Sequence, residues 1–324
     1  MISTSSNEEP SALPKWLNSP VMDYEGTLDE IRQFIPTFER RAFALTQSDN
    51  ERSRLNERLD TIVRLPFQDD RSSVPVGVVS KDYTFIQHTA VLDMAQQALR
   101  SVKIDPATVW AELALTEYGE RMSLSLYLPE AYQYQPEDGH PMDLRLECTN
   151  SVDGSTRFRV LMGWFRLVCS NGLIIGVTRA DLRRRHVGAF HIGMINSVLL
   201  SGLKDAEEDK RNLRKWFSKK VTLPALSAWI ERDLRKLWGF KAATRAFHIA
   251  RTGSDAEVLG PYKDNTPLSI PVRLSSPIPG APRQARNLYD VSQILAWLAK
   301  ERRDIQEQLD WREQIPDLLK PLLN

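Results

Sequence analysis

Leu144-Arg145-Leu146-Glu147-Cys148-Thr149-Asn150-Ser151-Val152-Asp153-Gly154-Ser155-Thr156-Arg157-Phe158-Arg159-Val160-Leu161-Met162 reads as two strands and the reversal between them. Leu144, Leu146 and Cys148 alternate with Arg145, Glu147 and Thr149, and Phe158, Val160 and Met162 alternate with Arg157 and Arg159. Period two with one apolar set predicts antiparallel strands burying a single face. Apolar residues of paired strands must share that face, so paired residue numbers must sum to an even value. A two-residue loop at Asp153-Gly154 gives an odd sum and would set Cys148 against Arg159. A three-residue loop, Val152-Asp153-Gly154, sets Cys148 opposite Phe158 and puts Gly154 in the left-handed position that closes such loops. Glu147 then faces Arg159 on the outer, solvated face, a pair worth ~0.2 to 1 kcal/mol.

Working outward, Met122, Leu124, Leu126 and Leu128 alternate with Ser123, Ser125 and Tyr127. Keeping Leu115 and Met122 on the same face needs an even loop centred on Tyr118-Gly119. Asn171-Gly172 marks a further tight reversal before Leu173, Ile174 and Ile175. The middle of the chain is a meander of about five or six strands. It is preceded by a strand through Val76, Val78 and Val79 and by a helix from His88 or Thr89 to about Val102. Val91, Leu92, Ala95, Ala98, Leu99 and Val102 form that helix's apolar stripe.

The expected class is α+β: a central antiparallel meander sheet with packed helices, then a helical region and a C-terminal helix. The parts are a flexible leader (1–26), an N-terminal helical segment (27–70), the sheet core with one helix (71–188), a basic helical region (189–255), a proline-rich linker (256–286) and a C-terminal helix (287–324). Thr27-Leu28-Asp29-Glu30 has the form of a capping box. Pro36 makes the helix it starts short, or makes it restart at Thr37 and run through Phe38, Ala42 and Leu45. Residues 48–61 carry dense charge of both signs and read as a solvated helix face. Helical stretches are expected near 190–201, 204–220, 223–237 and 240–251. Six prolines between Pro261 and Pro282 point to an extended surface segment.

Composition bounds function loosely. The 324 residues carry 43 Lys and Arg against 42 Asp and Glu, a net charge of +1. Two cysteines without a CxxC pair, Cys148 and Cys169, argue against a disulfide framework or zinc knuckle and for a reducing, cytoplasmic setting. The Ser, Asn, Glu and Pro of residues 1–20 do not form a signal peptide, and no apolar run reaches the length of a membrane span. There is no P-loop, no GxGxxG after a strand and no serine-elbow motif.

The near-neutral total hides a local imbalance. Between Arg179 and Arg251, 17 Lys and Arg stand against 7 Asp and Glu, an excess of ten that the remainder nearly cancels. The candidate phosphate-binding residues are Arg183, Arg184 and Arg185, then Lys210, Arg211, Arg214, Lys215, Lys219 and Lys220, then Arg235, Lys236 and Lys241. Helical spacing places Lys210 with Arg214, and Arg211 with Lys215, on a shared side. Trp216, Phe217, Trp229, Trp238 and Phe240 are interleaved. Cations along a track suit a phosphate backbone, and exposed rings would suit unpaired bases. On the plainer reading the cations solvate helices and pair with Glu207, Glu208, Asp209, Glu231 and Asp233, while the rings are core.

Other chemistry is thinner. His186 and His191 are five apart and do not share a helix face, so no metal site is assigned. His88 at a helix start reads as a cap, and His140 as a loop residue. Cys169 lacks a visible base to activate it and reads as a small apolar filler. Asp69-Asp70, Asp153 and Asp181 could be imagined around magnesium, but Asp153 has the nearer task of bracing its own turn. No catalytic residue and no cofactor is assigned. Asn150, Asp153, Gly154, Asn171 and Gly172 are assigned to turns.

Asn150-Ser-x-Asp-Gly-Ser, Phe165-Arg166-Leu167-Val168-Cys169-Ser170-Asn171-Gly172-Leu173 and Arg185-His186-x-Gly188 together resemble the phage- and plasmid-related proteins grouped as domain of unknown function 932. Val78-Val79-Ser80-x-x-Tyr83 and Asn287-Leu288-Tyr289-Asp290-Val291 extend the resemblance over most of residues 70–300. Val152 departs from it, standing where many members have His. The resemblance implies a bacterial mobile-element context and no established activity. The element order also resembles, more weakly, that of phage single-strand annealing proteins. The expected function is a non-enzymatic nucleic-acid-binding protein, an annealing or recombination accessory that oligomerises, on single- or double-stranded nucleic acid and not on a membrane. Two alternatives are a counter-defence factor docking an acidic host protein and a metal-dependent nuclease.

Overall fold

The computed structural model describes residues 21–45, 54–137, 139, 141–166, 173–174, 180–184, 193–260, 266–278, 281, 284–302 and 305–323. The first elements are β1 (Val21–Thr27), α1 (Leu28–Arg32), β2 (Phe38–Leu45), β3 (Arg54–Arg64) and β4 (Val74–Ser80). Helix α2 (His88–Ser101) leads into β5 (Trp110–Thr116), β6 (Arg121–Tyr127), β7 (Met142–Ser151) and β8 (Phe158–Arg166). Short strands β9 (Leu173–Ile174) and β10 (Ala180–Arg184) precede α3 (Gly193–Ser218), α4 (Leu223–Trp229) and α5 (Arg235–Thr252), with a π-helical turn at Ile230–Leu234. A hairpin of β11 (Ser254–Val258) and β12 (Val272–Pro277), then α6 (Leu288–Lys300) and α7 (Ile305–Leu323), complete the α+β fold.

The central antiparallel sheet runs β1-β5-β6-β7-β8-β10, with β9 also on β8. Its first face is the apolar set read from the alternation: Leu113, Leu115, Met122, Leu124, Leu126, Leu146, Cys148, Phe158 and Val160 are all buried in one core. Helices α1, α2 and α3 pack on it through β5, β7 and β8. Val91, Leu92, Ala95, Ala98 and Leu99 supply α2's side, the Val and Leu residues each contributing about 1.5–3 kcal/mol on burial. The loop centred on Tyr118-Gly119 is as expected, since Leu115 pairs with Met122.

The register at the β7–β8 turn keeps its parity and shifts by two. Cys148 pairs with Val160 rather than Phe158, and the reversal spans residues 152–157 rather than three residues. Parity fixes only that the sum is even. The wider turn is set by Ser151, whose Oγ donates to Thr156 O at 2.9 Å and accepts from Thr156 N at 3.1 Å. Gly154 does take the left-handed conformation, φ 78°. The Glu147–Arg159 pairing is not formed, because Glu147 lies opposite Leu161 and Arg159 opposite Thr149. Nor is that face solvated: Arg145, Glu147 and Arg159 are buried.

The N-terminal third departs most from expectation. Residues 21–26, assigned to the leader, belong to β1, which pairs along β5 and places Met22 and Tyr24 beside Leu115 and Leu113. The Thr27 capping box is present and starts a helix of five residues. Beyond it the segment assigned to helix forms strands, a three-stranded sheet β2-β3-β4. Its charges lie along a ribbon, with Arg40 opposite Ile62 and Ala42 opposite Asp60. Phe38, Ile62 and Val79 bury against Val152 in a second small core. That contact explains an apolar residue at position 152.

In the helical half, α3 continues through the break expected between 201 and 204, while the break near 237–240 survives as a kink at Gly239, φ 84°. The proline-rich linker is not a bare extended segment, since Val272–Pro277 pairs with Ser254–Val258. The single C-terminal helix is two, α6 ending at Lys300 and α7 starting at Ile305. Trp229 Nε1 donates to Leu318 O at 2.9 Å and Trp238 Nε1 to Gln314 Oε1 at 2.8 Å, which clasps α7 to the helical layer. Among the described residues no helix is long and apolar enough to cross a membrane.

Candidate nucleic-acid interface

The second half of α3 carries the densest group of candidate cations. Its buried side, Ala206, Leu213 and Trp216, faces the core, so helical periodicity turns Arg211, Arg214 and Lys215 outward, and all three are exposed. Arg211 and Lys215 share a side as expected. Lys210 is less available: its Nζ donates to Glu207 Oε1 at 2.8 Å and lies 5.5 Å from the Trp164 ring. Lys210, with Arg214 and Arg211 adding their charge, holds the Glu207 carboxyl below its ordinary range. Arg214 sits over Tyr134 at 5.8 Å. Lys219 Nζ donates to Leu323 O at 2.6 Å and is thereby committed to the end of α7.

Lys220, Arg235, Lys236 and Lys241 are exposed, Arg235 resting over Phe240 at 5.3 Å. Lys241 opens on a cleft of about 590 Å³ that is also lined by Arg245, Asp255, Trp297, Arg302 and Trp311. Arg183 and Arg184 lie on β10, with backbones opposite Arg159 and Phe158. Arg185, Asn171, Gly172, Cys169, His140, His186 and His191 lie outside the described residues, so the expectations for them stand as they were.

The acids expected to neutralise this group do so only in part. Glu207 takes Lys210, and Asp233 takes Arg232, which is not among the candidates. Among the described residues Arg211, Arg214, Lys215, Lys220, Arg235 and Lys236 have no ion-pair partner. The three indoles follow the plainer reading, while Phe217 and Phe240 are half-buried. Trp216, Trp229 and Trp238 are buried, and Trp238 stacks on Trp311 with centroids 4.2 Å apart. They offer no open face to a base, because Trp216 is packed in the core and the indoles of Trp229 and Trp238 fill the seam between the helical layer and α7.

The family-marking turn is a hydrogen-bonded knot rather than a reactive site. Asn150 belongs to β7, not to the turn, and is fully buried. Its Nδ2 donates to Ile86 O at 3.0 Å and lies 2.9 Å from His88 Nδ1. Because Ile86 O can only accept, it fixes the amide orientation; His88 Nδ1 is then an acceptor, and its Nε2 donates to Gly119 O at 2.8 Å. His88 is therefore no cap: Gln87 holds that position, and the imidazole is a buried brace. Tyr83 Oη donates to Ser151 O at 2.8 Å, and burial pushes its pKa up to about 12. Asp153 Oδ1 accepts from Ser155 N and Oγ at 3.0 and 2.6 Å, bracing its own turn as expected. β4 comes so close that a Cβ on Gly77 would meet Asp153 Cα at 2.8 Å.

Among the other acid candidates Asp70 is likewise committed, while the side chain of Asp181 and the whole of Cys169 lie outside the described residues. Asp70 pairs with Arg64 and accepts from Ser72 N at 2.9 Å; the Ser72 bond, with Arg64 adding, holds its carboxyl below the usual range. Burial pushes the Cys148 thiol far up. Among the described residues no group of three or more His, Cys, Asp or Glu is placed to hold a metal.

One charged cluster escapes the sequence reading. Arg145 Nη2 donates to Glu147 Oε2 at 2.7 Å and Nη1 to Tyr127 Oη at 3.3 Å, and Tyr127 Oη donates to Glu112 Oε2 at 2.9 Å. Arg145 also stacks over Phe165 at 4.3 Å. Burial would weaken its guanidinium, but Glu147 and Tyr127 hold it above its ordinary value. Arg159 Nη2 lies 3.9 Å from Glu313 Oε1, which brings α7 and the buried Arg312 to the same face. Charges at odd positions of β7 and β8 were visible in the sequence; nothing there placed Arg312 beside them.

These features define an α+β protein in which a two-faced antiparallel sheet carries a basic helical layer. The chain belongs to the family described as Domain of unknown function (DUF932), whose model matches residues 75–262. The match runs from β4 to just past β11, taking in the knot and all three helices of the basic layer. No curated protein and no solved structure matches the chain.

Proposed function

We propose that this protein is a non-enzymatic nucleic-acid-binding protein that holds the phosphate backbone on the outer side of α3 to α5. The observation that carries this reading is the set Arg211, Arg214, Lys215, Lys220, Arg235 and Lys236, exposed cations without ion-pair partners among the described residues. A cation left unpaired on a surface gains most from a polyanion, because each phosphate contact releases a condensed counterion. Burial of Trp216, Trp229 and Trp238 supports backbone contact rather than base stacking, so the reading includes double as well as single strands. Service to recombination or replication of a bacterial mobile element belongs to the same proposal, as does a cytoplasmic setting.

Fluorescence anisotropy with labelled single- and double-stranded oligonucleotides tests it. Binding should be independent of sequence and should weaken steeply with salt. Replacing Arg211, Lys215, Arg235 and Lys236 with Gln should remove most of it while leaving the fold intact by circular dichroism. Absence of binding at low salt, together with capture of one stoichiometric acidic protein, would replace this reading with a protein-docking one.

A further inference from the structure

Arg312 is buried, carries a full charge in its ordinary state, and makes no hydrogen bond or ion pair with another described residue; its Nε is a buried donor without an acceptor. A buried guanidinium without a hydrogen-bonded partner is among the costliest groups a fold can hold, and replacing such a group by an apolar one commonly stabilises a protein. Here it lies with two further buried arginines. Arg145 and Arg159 stand on the same sheet face, two strands side by side, and Glu313 next to Arg312 reaches Arg159 at 3.9 Å. Of the carboxylates nearby, Glu147 is taken by Arg145 at 2.7 Å, and Glu313 is more than a third exposed at the rim.

The geometry points to a binding site for a phosphate oxyanion, either inorganic phosphate or a terminal phosphomonoester, between the polar face of β7–β8 and α7, with Arg312 as its principal ligand and Arg145 and Arg159 flanking. Planar guanidinium forks carried by a sheet and by the helix against it suit the tetrahedral, multiply accepting oxygens of phosphate better than the two coplanar oxygens of a carboxylate. The electrostatics agree: burial pushes the Arg312 guanidinium down to about 10, Glu147 works against that shift, and Arg145 and Arg159 reinforce it. A bound dianion would reverse the sign of that environment. Glu313 occupies the rim in the absence of ligand and yields it on binding.

This site is independent of the surface cations proposed to hold a nucleic-acid backbone, and the experiment separates the two. The full chain is titrated with inorganic phosphate, and with acetate and chloride at matched ionic strength, while its melting temperature is followed. Phosphate should raise the melting temperature saturably, and the controls should not. Arg312→Met should abolish the response, and Glu313→Gln, which removes the competing carboxylate, should tighten half-saturation by about tenfold, the equivalent of one charge-assisted contact. Should Arg312→Met fold poorly, Arg312→Lys keeps the charge but loses the fork and should weaken phosphate by at least the same factor.

A second arm compares oligonucleotides bearing 5′-phosphate and 5′-hydroxyl ends. Preference for the phosphorylated end, lost in Arg312→Met and retained in the α3–α5 surface variant, assigns the site to a nucleic-acid terminus. Equal binding of both ends together with the phosphate response assigns it to a free phosphate. A wild-type chain that responds no more to phosphate than to chloride, with Arg312→Met simply more stable, would overturn the site.

Discussion

Replacing Asn150 with Ala tests the knot that joins the two sheets. The change removes Nδ2 from Ile86 O and His88 Nδ1, at 3.0 and 2.9 Å, and leaves both acceptors buried. Each stranded group costs about 1–3 kcal/mol. Some of that is offset because Asn150 Oδ1 is itself a buried acceptor without a partner, and its removal relieves the same kind of cost. The net expectation is a loss of about 1–3 kcal/mol. His88→Ala removes the other end of the brace, including the 2.8 Å bond to Gly119 O. Urea unfolding of wild type, both single variants and the double variant closes a cycle whose coupling should be about 1–2 kcal/mol, within the range for contacting polar residues. Costs that simply add, or an Asn150→Ala penalty below about 1 kcal/mol, would refute the reasoning that one hydrogen-bonded unit sets this turn.

Three further outcomes follow from particular contacts. Gly77→Ala should destabilise by about 1–3 kcal/mol through overpacking, because its Cβ would meet the Asp153 backbone; a neutral thermal shift would show that β4 can move away. Trp229→Phe should cost about 1 kcal/mol of stability from the lost bond to Leu318 O and leave oligonucleotide affinity unchanged, whereas lost affinity would return the indole to the binding surface. Asp255 accepts from Arg245 Nε at 2.8 Å, Trp297 Nε1 at 3.0 Å and Ala256 N at 2.7 Å. Burial alone would raise its carboxyl, but Arg245, Trp297 and the Ala256 amide hold it below the ordinary 3.8. A depressed carboxylate contributes stability that is complete above the unfolded value and is lost as pH falls through the folded one. Asp255→Asn should therefore be less stable than wild type at neutral pH, with a gap that narrows in acid; a gap that stays constant to low pH would contradict the assignment.

The sheet was legible where its apolar residues keep to one face. Leu124, Cys148 and Val160 sit in a face that cannot tolerate a slip of one residue, so alternation and parity carry real constraint. A slip of two preserves parity, which is why the Cys148 partner was misplaced while its face was right. β2 and β3 were illegible because charges such as Glu39, Arg40, Arg41 and Asp60 line a narrow ribbon whose buried apolar residues, among the described ones, are Phe38, Ile62 and Val63; without a periodic apolar set, dense charge resembles a solvated helix. The basic layer was visible as composition. Which cations stay unpaired depends on neighbours in space, as Lys210 and Lys219 show. Arg312 was beyond reach, since its significance comes from Arg145 and Arg159, more than a hundred residues earlier in the chain.

The salt dependence of oligonucleotide binding tests the central claim most directly. If about six phosphates of a single strand are neutralised, log affinity should fall against log salt with a slope of about −4. Arg211→Gln with Lys215→Gln should make that slope shallower by about 1.4, two contacts at roughly 0.7 each. An affinity that is flat in salt, or a slope that those two substitutions leave unchanged, would contradict the account.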